Sequence, residues 1–411
     1  MRRRQLLLVS PVLAAAACTA PEEAPGTAGA SDGGGAPEGT ADPSDAGGTG
    51  TPERTDDPTE PTPTEDPADA AIHEQLDALD PRGIAGQLVL VGIPAGSEFP
   101  RSTRTDDRVG GYFLLGVWES AEEVEAMVAA AQDGPESGVP PLLAVDQEGG
   151  QVRMLRGDAA SEVDSAAELG TEGTGAVTAA YRTIGADLAA RGLHLDLAPV
   201  ADVVDPQLGD ANEPVGGLDR GFGTDPAAVA DCVTAAVTAL DEAGIGATLK
   251  HFPGLGRVEQ NTDFSAEGII DEVTGPEDPF LEPFRAGIAA GTDAVMLSSA
   301  IYPRLEDGVP AMFSAVCVQD LLRDQLGFDG LVVTDDIGAA EAVADIPVAD
   351  RATRLLAAGG DAVLTADPGL AGQLVDAIQE WAAQSPEQEQ RVRESAARML
   401  RVKAARGVLG G

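Results

Sequence analysis

The sequence predicts an α/β protein, a single (β/α)8 barrel of the TIM type behind an export signal and a disordered acidic Pro/Thr/Gly linker. Three observations predict it. From about residue 71, short apolar runs rich in Val, Leu and Ala alternate with helical stretches, the mark of repeated β-α units. Eight such runs occur. Several end in polar residues at the carboxyl end, and a barrel gathers all those ends on one rim. A doubly wound sheet, the runner-up, would scatter them, and no G-x-G-x-x-G follows the first run.

Taken in order, residues 1–18 read MRRRQLLLVSPVLAAAAC: basic Arg2 to Arg4, a short apolar run, then small residues. This is an export signal, too short to span a membrane as a mature helix. Ala15-Ala16-Ala17-Cys18 resembles a bacterial lipoprotein processing site, which would make Cys18 the lipidated first residue. The alternative is ordinary cleavage and release. Residues 19–70 carry thirteen Asp or Glu against Arg54 alone and no aromatic residue, so they cannot bury a core and form a tether.

Residues 71–411 hold the eight runs: GQLVLVGI (86–93), GGYFLLG (110–116), PLLAVDQ (141–147), LHLDLAPVAD (193–202), GATLKHF (246–252), DAVMLSS (293–299), GLVVTDD (330–336) and DAVLTA (361–366). Between them lie amphipathic helix candidates, among them SAAELGTEGTGAVTAAYRTIGADLAARG, DPAAVADCVTAAVTALDEAG and LEPFRAGIAAG. The last two end in Gly, as helices do. The first link, from strand one to strand two, shows no clear helix. Cys232 and Cys317 sit in apolar helical contexts without metal or redox spacing and read as buried thiols. An exported protein could also pair them.

The net charge is −43, from 69 Asp plus Glu against 26 Lys plus Arg. Such a field repels nucleic acid and anionic lipid, so contact with a membrane is expected through the lipid anchor only, and a neutral or cationic ligand fits better. The same acidity serves solubility in salt.

The polar strand ends supply the chemistry. They are Asp146-Gln147-Glu148 after the third run, Asp202 after the fourth, Lys250-His251 after the fifth, Ser298-Ser299 after the sixth and Thr334-Asp335-Asp336 after the seventh. Arg153, Arg220 and Asp263 lie close by in sequence. Carboxylates, cations, one imidazole and hydroxyls, without a metal triad, suit sugar chemistry: two carboxyl groups can act across a glycosidic bond while charged side chains hold hydroxyls. An Asp after a strand also commonly caps the next helix. Five polar ends in one chain weaken that reading. Lys250 is one of only two lysines, beside Lys403.

With these motifs the chain resembles glycoside hydrolase family 3, and within it the bacterial β-N-acetylhexosaminidases. The likeness runs in order through AVDQEGGQVRML (144–155), LDLAPVADV (195–203), LDRGFGTDP (218–226), KHFPGLG (250–256), AVMLSSAIYP (294–303), PAMFS (310–314) and LGFDGLVVTDDIGAAEA (326–342). It implies a (β/α)8 barrel, with no second domain in so short a chain and no metal or organic cofactor. It also implies that Asp335 is the nucleophile, that Asp336 is structural, and that Asp146, Arg220, Lys250 and His251 hold the hydroxyls and N-acetyl group of the terminal sugar. The implied enzyme is a monomer acting with retention on β-linked N-acetylhexosamine at the cell envelope.

The loop after KHFPG departs from the family. Members of this subgroup continue to Asp-Ser-His, whose histidine is the acid/base; this chain has Asn261-Thr262-Asp263. His73 is far upstream and His194 sits inside a strand, so neither can substitute. Asp263 can serve as the acid/base if burial or Asp335 raises its pKa, with Asn261 orienting it. Glu259 on the same loop is a second candidate. Two other functions stay open: β-glucosidase-type specificity in the same family, and a catalytically silent glycan-binding lipoprotein.

Overall fold

The computed structural model describes residues 67–133 and 138–409, so the export signal, Cys18 and the linker up to residue 66 lie outside the described residues. A helix, Pro67–Asp77, starts before residue 71, the boundary read from the sequence. Beyond it all eight runs become strands: β1 (Val89–Pro94), β2 (Gly111–Leu115), β3 (Leu142–Val145), β4 (Leu195–Asp196), β5 (Gly246–Phe252), β6 (Ala294–Leu297), β7 (Leu331–Asp336) and β8 (Ala362–Thr365). They close into a parallel barrel in sequence order, with β8 on β1.

Side-chain alternation divides the core into two layers. On β1, Val89, Val91 and Ile93 face the surrounding helices while Leu90 faces the axis. The inner layer collects Phe113, Leu142, Ala144, Leu195, Leu197, Ala294, Met296, Leu331, Val333, Ala362 and Leu364. Met399 and Val402 of the carboxyl-terminal helix Pro386–Ala405 join it. Lys403 on that helix is buried and donates to Gln87 Oε1 at 2.5 Å just before β1, and burial pushes its pKa well down. Both lysines of the chain are therefore interior.

Three departures from the sequence pattern have local causes. β4 spans two residues rather than the ten of its apolar run; beyond it the ladder is irregular around Pro199, which has no N–H to give, with the Leu197 N–H on the Val145 carbonyl, the Thr248 and Lys250 N–H groups on the Ala198 and Pro199 carbonyls, and a single bridge at Val200–Lys250. The first link does hold a helix, Arg101–Thr105, whose polar sequence shows no apolar period. The long candidate after β3 breaks at Gly173, at φ 94°, into Ala166–Glu172 and Thr174–Ala190. The other two candidates form as read, Pro226–Glu242 and Glu282–Ala289, followed by Gly244 and Gly291 in the left-handed region. Cys232 and Cys317 are buried free thiols.

The amino-terminal end of β8 is anchored by one buried carboxylate. Asp361 accepts from Arg323 at 2.5 Å, Arg391 at 3.1 Å, Arg398 at 3.2 Å, Ser395 Oγ at 2.9 Å and the Val332 N–H at 2.9 Å. Burial alone would raise its pKa, but the three arginines outweigh that and lower it. This joins β7, β8, the π-helical segment Val316–Gln325 and the last helix. Asp361→Asn leaves three guanidinium groups near a neutral partner and is expected to cost about 3–5 kcal/mol, read as a lowered midpoint in chemical denaturation at unchanged m-value.

Candidate active site

The strand pattern that fills the barrel also builds the site above it. Inward positions recur every second residue, so one step past the apolar layer the axis meets Leu115 after Phe113, Asp146 after Ala144, Asp335 after Val333 and Ala366 after Leu364. On β5, Ala247 and Leu249 belong to the outer layer, which turns Thr248 and Lys250 inward. These side chains line one cavity of about 250 Å³ with Phe113, Leu197, Arg220, His251, Asp263, Met296, Asp336 and Leu364. All six barrel-rim candidates, Asp146, Arg220, Lys250, His251, Asp263 and Asp335, therefore share it.

Its floor is a closed ionic lattice. Lys250, 1% exposed, donates to Asp146 at 2.5 Å and pairs with Glu148 at 2.7 Å. Arg220 grips Glu148 with both arms, Nε to Oε2 at 2.9 Å and Nη2 to Oε1 at 2.8 Å, and its Nη1 donates to the Pro214 carbonyl at 2.7 Å. Burial would raise the Glu148 pKa, but the two cations hold it at about 2. Lys250 is raised above its ordinary value by Asp146 and Glu148 against the opposing effect of burial. An ammonium has three donors. Two are engaged here, which leaves a third for a ligand.

His251 is held by Asp202, which is fully buried and takes the ring Nδ1 at 2.8 Å, the His251 backbone N–H at 3.0 Å and the Leu255 N–H at 2.9 Å. The carboxylate only accepts, so Nδ1 carries the proton, and Nε2 is left to the cavity side, 3.3 Å from Arg220 Nη2. The Lys250–His251 and Phe252–Pro253 peptides are cis. Arg220 comes from the long loop after β4. Buried Asn212 ties that loop to the one after β5 by donating to the Leu255 and Val258 carbonyls at 2.8 and 2.6 Å.

The two aspartates at the end of β7 differ in environment. Asp336 accepts from the backbone N–H groups of Gly338 at 2.8 Å, Ala366 at 3.0 Å and Ala339 at 3.3 Å, which pins the following turn to the end of β8. Asp335 accepts only the Asp336 N–H, at 2.8 Å, so its other carboxyl oxygen is open to the cavity. Across from them Asp263 keeps solvent on one side while the cavity wall crowds the other. That partial burial, then the Asp335 carboxylate, pushes its pKa up to about 6, against the smaller opposing pull of His251 and Arg220.

Several rim residues fall elsewhere. Asn261 accepts from the backbone N–H of Asp263 at 2.9 Å and does not bond its carboxyl, so it shapes the turn rather than orienting that side chain. The Asp263 and Thr262 carbonyls instead accept from the Glu341 and Ala342 N–H groups, each at 3.3 Å, which docks this loop on the one after β7. Glu259 is exposed and outside the cavity lining. Arg153 lies in the hairpin formed by Gln147–Gly149 and Val152–Arg153, donating to the Gly150 carbonyl at 3.0 Å and to Glu162 at 3.4 Å. Ser298 accepts from the Ala300 N–H beneath the rim. Glu148 and Asp202, named in the sequence only as polar strand ends, prove to be the counter-ions on which the cations rest; their place in the DQE and VAD strand ends was the available signal.

The glycosyl hydrolase family 3 N terminal domain matches residues 84–402. The chain belongs to glycoside hydrolase family 3. Among family relatives, the β-hexosaminidase of Xanthomonas oryzae pv. oryzae (strain KACC10331 / KXO85) is 36% identical over 307 residues, covering 71% of this chain and 87% of its own length. The crystal structure of β-N-acetylhexosaminidase from Beutenbergia cavernae DSM 12333 is 42% identical, covers 79% of this chain and 99% of its own, and superposes with a TM-score of 0.76. A family 3 β-N-acetylglucosaminidase from Paenibacillus sp. str. FPU-7 is 31% identical with a TM-score of 0.71, over 81% of this chain and 64% of its own. This family 3 chain is a glycoside hydrolase that acts on O-glycosyl bonds of β-linked sugars.

Proposed function

We propose that this chain removes a terminal β-linked N-acetylhexosamine from cell-envelope glycans, with retention of configuration, and that it works outside the cytoplasmic membrane, tethered through Cys18. The observation that carries the reaction is the pair of carboxyl groups, Asp335 and Asp263, on one small cavity floored by Lys250, Arg220 and His251. Asp335 attacks the anomeric carbon and forms a glycosyl-enzyme ester while Asp263 protonates the departing oxygen. Esterification removes the Asp335 charge that helped raise the Asp263 pKa. Asp263 then becomes the stronger acid, left as carboxylate, and takes a proton from the water that releases the sugar. The third Lys250 donor, Asp146 and the His251 Nε2 are disposed to hold hydroxyls and the N-acetyl group. The names of the relatives support the amino-sugar specificity, and the basic-apolar-Cys18 start supports export and anchoring.

A paired assay tests the specificity. The purified protein is expected to release chromophore from an aryl β-N-acetylglucosaminide at a kcat/KM at least roughly 100-fold above that on the matching β-glucoside, since the N-acetyl contact is lost in the latter. Equal rates would assign it to β-glucosidase-type specificity, and binding without turnover of either would make it a glycan-binding lipoprotein.

A further inference from the structure

One exposed aromatic side chain follows directly on a residue of the cavity wall: Phe264 is the chain neighbour of Asp263. Four large hydrophobic side chains are exposed, Val117, Phe264, Ile270 and Val273, and three of them lie on the segment that continues from Asp263. Phe264 is 82% exposed, in a chain with only 3% aromatic residues. A mobile or unfolded loop does not explain this. The Asn261 carbonyl accepts the Phe264 and Ser265 N–H groups at 3.1 and 3.0 Å, Gln260 N–H donates to the Gly268 carbonyl at 3.2 Å, and Ile270 forms a bridge with Ile301. Asp271 takes the Val273 and Thr274 N–H groups at 2.8 and 3.0 Å. The backbone is held, and the side chains still point to water. An ordered exposed apolar patch marks a binding surface.

The occupant follows from size and charge. At about 250 Å³ the cavity is below the roughly 300 Å³ at which drug-sized ligand sites begin, so it takes one sugar ring and the rest of a glycan lies outside the mouth. Asp263, placed to protonate the bond between the two, is the residue next to Phe264. The exposed carboxylates Glu259 and Glu267 lie on the same loop and Glu341 on the segment whose N–H bonds the Asp263 carbonyl, while Arg257 is already engaged by Asp278 and Thr274. Arg304 lies further along, beside Gly275.

We propose that Phe264 is the subsite for the leaving group, and that this group is an uncharged sugar laying its C–H face on the phenyl ring. The proposal rests on the reading of Asp335 and Asp263 as the reacting pair. Apolar contact stabilises the neutral ring. The carboxylates on these segments repel an anionic one.

Three substrates test it on the whole protein: methyl β-N-acetylglucosaminide, N,N′-diacetylchitobiose, and the disaccharide whose reducing unit is N-acetylmuramic acid. The wild type is expected to prefer the neutral disaccharide to the muramyl one. Phe264→Ala is expected to lower the ratio of kcat/KM on the neutral disaccharide to that on the methyl glycoside by roughly 3- to 10-fold, and Phe264→Trp to restore it. A ratio unchanged in Phe264→Ala, or a wild type that prefers the muramyl disaccharide, overturns the subsite. A wild type that cleaves none of the three overturns the proposed reaction itself.

Discussion

Asp335→Asn is expected to lower kcat/KM by on the order of 10⁴-fold or more while the protein keeps its fold. An amide cannot attack the anomeric carbon, so no ester forms. The folded state loses little, because the hydrogen bond that Asp335 makes is acceptance of the Asp336 N–H at 2.8 Å, and an asparagine carbonyl can accept it equally. The measurement is initial rate on an aryl β-N-acetylglucosaminide together with a thermal melt. A variant that keeps a tenth of wild-type activity would remove Asp335 from the nucleophile's role. Asp336→Asn separates the neighbours: with three backbone N–H groups on that carboxylate, its loss is expected in stability before rate.

The second large effect concerns Asp263, and its signature is dependence on the leaving group. Asp263→Ala is expected to cost about 10²- to 10⁴-fold on an alkyl glycoside or disaccharide, whose oxygen must be protonated, and much less on a nitrophenyl glycoside. Its pH signature has a definite sign. A general acid works in its protonated form, and Asp263 titrates at about 6, so the wild-type rate on the alkyl glycoside falls as pH rises through about 6. That limb should vanish in Asp263→Ala. Equal losses on the two substrates, or a basic limb that survives the substitution, would assign the proton to another group.

The barrel was legible because its code is local. Near-continuous apolar residues in eight short runs specify strands buried on both faces, and repetition of β-α units leaves few ways to close the sheet. The rim was legible for the same reason: Asp146, Lys250 and Asp335 lie on the inward parity of their own strands, which chain position alone fixes. Where an element departs from its strand's period, the sequence misled. The first-link helix Arg101–Thr105 is polar throughout. Arg153 looked like a rim cation until the hairpin after β3 carried it to Glu162.

The loop after β5 shows the limit most clearly. Asn261 beside Asp263 reads as a partner for its carboxyl, but a side chain so close in sequence reached the backbone N–H instead. Glu259 and Asp263 are chemically equal candidates along the chain. Only the docking of residues 262 and 263 on Glu341 and Ala342 turns one into the cavity and leaves the other in solvent.

By itself, then, the sequence determined the fold, the family and the residues that point at the axis, since these follow from short-range periodicity and from motifs read in order. The tertiary structure decided which charges are paired and which are free. Glu148 and Asp202 became counter-ions, Asp336 a backbone anchor, and Asp335 and Asp263 the carboxyls left facing the cavity. The physical reason is that ionisation and hydrogen bonding depend on groups distant along the chain. Lys250 and Asp146 are 104 residues apart, and they meet at 2.5 Å only because the barrel closes.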